Sequence, residues 1–189
     1  MKFFKNRGVA AVISAVIVVL STLGNAHSDI TELVYDVTSE YYGGHYDEDA
    51  GYNRPALYDQ LQERTNAATG ILSVCASYPE LDDAAQAFRA ASDALYNSYT
   101  LHNEYYNNKQ LDIAYNSLIT EAENVSFSER DSQLLSEYRG NFEGAGRMIE
   151  QAGADYNNSV REFNSYISET FPANILSGIT GVEMPELFE

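Results

Sequence analysis

A chain of 189 residues with 44% hydrophobic content can bury the core of one domain and is short for two. Lys2, Lys5 and Arg7 precede every acidic residue; removing those three from the 11 basic residues leaves 8 to face 28 acidic ones. Nucleic-acid binding draws its affinity from Lys and Arg that neutralise phosphates, so this charge excludes nucleic acid and anionic lipid headgroups as partners of the body of the chain.

After the basic flank Met1 to Arg7, residues Val9 to Leu23 form an unbroken run of apolar, Ala, Ser and Thr residues. A helix from Gly8 to Ala26, at about 1.5 Å per residue, reaches roughly 28 Å, close to the hydrocarbon thickness of a bilayer. Two readings stand: a retained transmembrane anchor occupying residues 1–27, and a secretory signal peptide cleaved after Ala26, where Gly24-Asn25-Ala26 offers small residues. In either case the flanking cations favour a cytoplasmic amino terminus, which puts residues 28–189 on the outer side of a membrane.

Ser28 reads as an N-cap, followed at helical spacing by Ile30, Leu33, Val34, Val37 and Tyr41 as far as Gly43-Gly44, either as a new helix or as an outward continuation of the anchor. Gly43 to Arg54 has no apolar period and reads as an exposed loop. Pro55 opens a second helix with the stripe Leu57, Leu61, Ala68, Leu72, Cys75 and Tyr78, closed by Pro79. A third helical region begins near Glu80 with Leu81, Ala84, Phe88, Ala91 and Leu95 on one face. Tyr105-Tyr106-Asn107-Asn108, poor in helix propensity, marks a turn or kink before Leu111, Tyr115, Leu118 and Ala122, so one helix or two between Glu80 and Asn124 stays open.

Ser126 with Glu129 spells a capping box for a last long helix. Its seam is Tyr138, Phe142, Ala145, Ile149, Ala152, Tyr156, Val160, Phe163 and Ile167, at steps of three and four. Asn157 and Asn164 flank the seam, where an amide either fixes register against a neighbouring helix or stays at the surface. Pro172 ends the helix at Phe171. Ile175, Leu176, Ile179, Val182, Met184, Leu187 and Phe188 are too apolar for a free tail and are expected to fold back over the bundle. With no alternating strand pattern and no Asn-Gly or Asp-Gly hairpin signal, the architecture is all-α: an antiparallel bundle of long helices following an N-terminal transmembrane helix.

The order Tyr156-Asn157, Val160, Phe163-Asn164, Ile167, Phe171-Pro172, Asn174-Ile175-Leu176, Gly181 and Phe188-Glu189 resembles the carboxyl end of the LemA family of bacterial membrane-anchored helical proteins. Leu61 and Arg64, with Ala67, Leu72 and Tyr78, resemble that family's first long soluble helix more loosely, since Ala67-Ala68-Thr69-Gly70-Ile71-Leu72 stands where members often have an Asn-Leu-Val motif. Residues 80–136 depart most and share only helical length. The resemblance implies a helical bundle on a single-pass anchor and no established catalytic activity, so it supplies no active-site residues.

The reactive side chains agree. Cys75, the sole cysteine, lies on an apolar stripe and reads as core. His45, Asp47, Glu48 and Asp49 faintly suggest a calcium loop, but Gly51 comes one residue early for an EF-hand and Tyr58 takes the place of the closing glutamate. His27, His45 and His102 each lack the glutamate three residues before that a di-iron bundle uses. There is no nucleophile elbow, phosphate loop, dinucleotide fingerprint or zinc-protease motif, and Asp82-Asp83 on adjacent helical positions cannot converge on one atom. No catalytic, cofactor-binding or metal-binding residue is therefore expected.

Fifteen tyrosines and no tryptophan, clustered at Tyr41-Tyr42, Tyr96, Tyr99 and Tyr105-Tyr106, either pack between helices or offer faces to sugars or peptides. The expected role is a membrane-anchored scaffold that docks other envelope or membrane proteins, with homo-oligomerisation left open. The alternative is an extracytoplasmic module binding glycans or peptides around Tyr96 to Asn108, secreted if the leader is cleaved.

Overall fold

The computed structural model describes residues 7–47, 51–169 and 173–189. Its elements are α1 (Arg7–Gly43), β1 (His45–Asp47), β2 (Tyr52–Arg54), α2 (Leu57–Cys75), a 3-10 turn at Pro79–Leu81, α3 (Asp82–Tyr96), α4 (Leu101–Ala122), α5 (Glu129–Glu169) and α6 (Ala173–Thr180). The all-helical expectation holds. The chain forms two compact units, one of Met1–Thr38 with Ser159–Pro185, the other of Ser39–Asn158 with Glu186–Glu189.

The first unit has a small core. Ile30, Phe163 and Ile167 are buried together, and Val34, Val37 and Val182 pack against them, so the stripes read on α1 and on the second half of α5 are the ones that meet. Ser28 does not start a helix, because α1 runs through it without a break. Thr22, Thr31 and Thr38 each return their hydroxyl to the carbonyl four residues back, which keeps these polar residues satisfied inside a helix. Val16 to Leu20 are all exposed, between 50% and 63%. Among the described residues no helix is long and apolar enough to cross a membrane. The side chains of Val9, Ala10, Val12 and Ile13, which begin the apolar run, lie outside the described residues.

In the second unit α2, α3, α4 and the first part of α5 form a helical bundle joined by short turns. The predicted stripes are its core: Leu57, Leu61, Ala68, Leu72 and Cys75 from α2, Ala84, Phe88 and Leu95 from α3, Leu111, Tyr115, Leu118 and Ala122 from α4, and Phe142, Ala145, Ile149 and Tyr156 from α5. Phe88, Tyr115 and Phe142 stack where three helices face one another, with ring centroids 4.3 to 6.0 Å apart. Gly70, in the stretch that departs from the family pattern, faces the Tyr138 ring; a Cβ there would stand 2.5 Å from the ring carbon Cδ1.

Several expectations need correction. Within Gly43 to Arg54, β1 and β2 pair antiparallel in the register His45 with Arg54, Tyr46 with Asn53 and Asp47 with Tyr52. Gly44 and Gly51 supply left-handed backbone at φ +72° and +73°, and a Cβ on Gly44 would collide with the Arg54 carbonyl. The break between α3 and α4 falls at Asn97 to Thr100, whereas Tyr105 to Asn108 lie inside α4. Thr100 caps α4, its hydroxyl accepting the Asn103 N–H at 3.2 Å, and this cap outweighs the weak propensity that follows. The box opening α5 is Ser128 with Asp131, not Ser126 with Glu129: Ser128 Oγ accepts the Asp131 N–H at 3.1 Å and donates to the Asp131 carboxylate at 2.8 Å. Phe171 and Pro172, read as the helix end, lie outside the described residues.

Candidate functional site

The sequence feature that most needs an explanation is Arg64, a cation on an otherwise apolar stripe. It lies in the second unit with 3% of its surface exposed. A guanidinium removed from water must be paired, and the bundle supplies the pairs from two further helices. On α4, Asn108 Oδ1 accepts from Nη1 at 2.5 Å and the Asp112 carboxylate accepts from Nη2. On α5, the guanidinium carbon lies 4.4 Å from the centre of the Phe142 ring, a cation–π contact. Gly146, one turn beyond Phe142, makes room for it, since a Cβ there would sit 3.2 Å from Nη2. The Arg64 Nε has no hydrogen-bond partner.

The group opens onto a cleft of about 300 Å³ lined also by Lys109, Tyr115, Asn116, Glu143, Arg147 and Glu150. Tyr115 donates to Glu143 at 2.6 Å, and burial first, the Glu143 bond second, push its phenol up to about 12. Lys109 pairs with Glu150 at 3.5 Å on the surface, where such a pair contributes little. The lining holds guanidinium, ammonium, carboxylate and amide groups without His, Cys, Ser or Thr. Together with the Tyr115 phenol, these groups can bind polar and charged ligands.

A second constellation gathers the tail. Asn157 is buried and reads the backbone of Phe188 on both sides: its Oδ1 accepts the Phe188 N–H at 2.7 Å and its Nδ2 donates to the Phe188 carbonyl at 2.9 Å. The amide therefore bonds to the tail and not to a neighbouring helix, while Asn164 is exposed. The Tyr156 hydroxyl donates to the Glu186 carbonyl at 3.0 Å, and His102 Nδ1 lies 2.9 Å from the Glu189 carbonyl oxygen. The Phe188 ring meets Tyr105 edge-on at 5.3 Å and lies over Gly153. Of the tail residues expected to fold back, Phe188 and partly Leu187 and Val182 do so, whereas Ile175 and Ile179 are more than half exposed.

The remaining candidates divide cleanly. Cys75 is 1% exposed, and burial pushes its thiol up to about 11, as a core cysteine requires. Asp82 and Asp83 sit exposed in the first turn of α3, where carboxylates favour the helix dipole. Glu48 and Asp49 lie outside the described residues, as do the side chains of His45 and Asp47; among the described residues no three His, Cys, Asp or Glu gather as metal ligands. Tyr41 is buried, donating to Glu104 at 2.7 to 2.8 Å, and burial raises the Glu104 carboxyl against the lowering effect of that bond. Tyr96, Tyr99 and Tyr106 are exposed, and the first two line a cleft of about 340 Å³ with Tyr58 and Glu104.

Sequence reading missed Asn108, Asp112 and Gly146. Their signal was available only in combination: an arginine inside an apolar stripe needs a carboxylate and an amide one turn apart on another helix, and a ring and a glycine one turn apart on a third.

These features define an all-helical protein whose bundle is centred on a paired, buried arginine and whose tail is clamped by an asparagine. A model of the LemA family matches residues 60–189, and the chain belongs to that family. The match runs through 80–136, where the resemblance had offered helical length alone, and it begins after α1 and the hairpin. No curated protein and no solved structure matches the chain.

Proposed function

We propose that this protein is a non-catalytic scaffold of the bacterial envelope, tethered through the start of α1, whose acidic bundle docks other envelope proteins outside the membrane. One observation carries the tether: Val16, Ile17, Val18, Val19 and Leu20 are each at least 50% exposed. Five consecutive helical residues point in every direction around the axis, so no single protein face accounts for them, while a bilayer covers all sides at once. Lys2, Lys5 and Arg7 orient such a segment with its amino terminus in the cytoplasm. The scaffold role is supported by the Arg64 cleft, whose lining offers charged and amide groups for contact with a polar surface.

Membrane fractionation with mass measurement of the mature chain tests the tether. A full-length chain retained in membranes is expected; a soluble product shortened near Ala26 would replace it with a secreted protein. Crosslinking in cells should then recover a recurrent envelope protein, and recovery of self-contacts alone would remove the docking role.

A second reading, an extracytoplasmic module for glycans or peptides, is favoured by the exposed rings of Tyr96, Tyr99 and Tyr106. Tyr106→Ala is the clean probe of that surface, because Tyr105 also packs on Phe188 and reports on stability. Loss of glycan or peptide binding at unchanged thermal stability would favour this reading over the scaffold.

A further inference from the structure

Glu104 is a carboxylate with a neutral partner only. It stands half-buried in the first turn of α4, and both of its oxygens accept the Tyr41 hydroxyl, at 2.7 and 2.8 Å. Burial raises its carboxyl, the Tyr41 bond lowers it, and no cation acts on it. A carboxylate drawn partly out of water without a counter-charge is costly, and a cation brought to it would relieve that cost.

This carboxylate opens onto the cleft of about 340 Å³ that Tyr58, Tyr96 and Tyr99 also line, and among the described residues the lining holds no Lys, Arg or His. The Arg64 cleft is the opposite case, with Arg64, Lys109 and Arg147 in its wall. Tyr58 is fixed by the rings of Tyr41 and Tyr42, at centroid distances of 5.9 and 5.5 Å, so the residue that holds Glu104 also holds the first ring. Tyr96 and Tyr99 are 67% and 91% exposed and make no hydrogen bond or ring contact among the described residues, so their faces are not spent on the fold.

The face of a tyrosine ring is negative and attracts a cation laid over it. A carboxylate among such faces is complementary to an ammonium group whose charge meets the carboxylate and whose alkyl groups meet the rings. Alkylation matters, because a lysine ammonium is a compact and strongly hydrated charge that loses more on leaving water. The excess of acidic over basic residues adds a field that concentrates cations at the surface, and the volume suits a small molecule.

We propose that the cleft lined by Tyr58, Tyr96, Tyr99 and Glu104 binds small molecules that carry an alkylated ammonium group. The site is independent of the membrane tether and of docking through the Arg64 cleft.

Choline titrated into the full-length chain in a non-ionic detergent tests it, followed by the choline methyl proton resonance, which ring currents move upfield over an aromatic face. The shift should saturate with choline. It should be absent with the uncharged analogue in which a quaternary carbon replaces the nitrogen. Glu104→Gln keeps an oxygen for the Tyr41 hydroxyl and should weaken choline at least about tenfold without lowering the thermal transition. At exposed Tyr96, Tyr96→Leu should weaken binding about fivefold while Tyr96→Phe, which keeps the ring, stays close to the wild type. N-acetyl-lysinamide, standing in for a protein's lysine, should bind at least about tenfold more weakly than choline. No choline shift, equal binding of the uncharged analogue, or binding indifferent to Glu104→Gln would each overturn the proposal. Equal binding of N-acetyl-lysinamide would make the occupant a lysine side chain and overturn the assignment to a small molecule. Should Glu104→Gln unfold the chain, the Tyr96 pair decides, and equal binding by its two members would overturn the site.

Discussion

The two units use apolar residues in opposite ways. In Ser39–Asn158 with Glu186–Glu189, large side chains from four helices and the 3-10 turn converge, Phe88, Phe142, Leu57, Ile71, Leu81, Leu111, Leu118 and Ile149 being less than 2% exposed, and even the buried cation has partners. In Met1–Thr38 with Ser159–Pro185, one cluster joins Ile30, Phe163 and Ile167 with the half-buried Val34, Val37 and Val182, and Val160 is buried as well, while Val16 to Leu20 stay open. The first kind of unit is stabilised by its own interior. The second leaves Val16 to Leu20 uncovered, so the two units should respond differently to substitution.

The largest effect is expected at Phe142. Its ring touches Phe88, Tyr115 and the Arg64 guanidinium, so Phe142→Ala opens a cavity and strips the cation of its aromatic face at once. A loss of about 3 to 5 kcal/mol in urea unfolding followed by helical circular dichroism is expected. A smaller loss would mean that the helices close over the gap and that the aromatic stack is not the centre of the unit.

Arg64 comes next. Arg64→Ala leaves Asn108 buried without its donor and Asp112 without its cation; because Asp112 is 38% exposed, water recovers part of its solvation, and about 2 to 3 kcal/mol should be lost. Arg64→Met, which refills the volume, should recover part of that loss. If both variants are as stable as the wild type, the arginine is held for a ligand in the cleft and not for the fold.

The third expectation concerns alkali. Cys75 sits at about 11 against 9.0, and Tyr115 and Tyr156 at about 12 against 10.0, burial being the first cause in each. Below pH 9 folded and unfolded chains hold these protons alike. Between 9 and 12 the unfolded chain releases them first, the native state binds more protons, and unfolding free energy falls as pH rises, by roughly 2 to 3 kcal/mol per group at the upper end. Tyrosinate absorbance and helical content should therefore change together near pH 11. All three buried groups belong to the second unit, so early loss of the first unit instead would invert the comparison.

The helical stripes were legible because burial on one face imposes a period that the residues cannot hide: every seam residue from Phe142 to Ile167 is buried or half-buried. Local polar devices were legible in kind but not in place. Ser126-Glu129 and Ser128-Asp131 both offer a cap to the same helix, and only the tie from Tyr78, which accepts the Ser128 N–H and donates to Asp131, selects the second. The strand pair left no alternation to read, because its strands are only three residues long and are flanked by left-handed Gly44 and Gly51. Partnerships across the bundle were not legible at all: Arg64 stands 44 and 48 residues from Asn108 and Asp112, and Asn157 stands 31 from Phe188. Such pairs depend on how helices are rotated against one another, a variable that a one-dimensional pattern does not carry.

The smallest effect on stability is expected where the apolar surface is largest. Val18 is 63% exposed, so Val18→Ser removes almost no packing and should shift unfolding by less than about 0.5 kcal/mol. The triple change Ile17→Ser, Val18→Ser, Val19→Ser should likewise leave the bundle's thermal transition in place. In cells the same triple change should release the chain from the membrane fraction, since three large side chains lose their favourable transfer into hydrocarbon while gaining hydroxyls that must be satisfied there. Unchanged stability with lost retention separates the two uses of apolar residues in one molecule. A triple variant that unfolds would instead mean that Val16 to Leu20 are covered by protein, and α1 would then belong to an assembly and not to a bilayer.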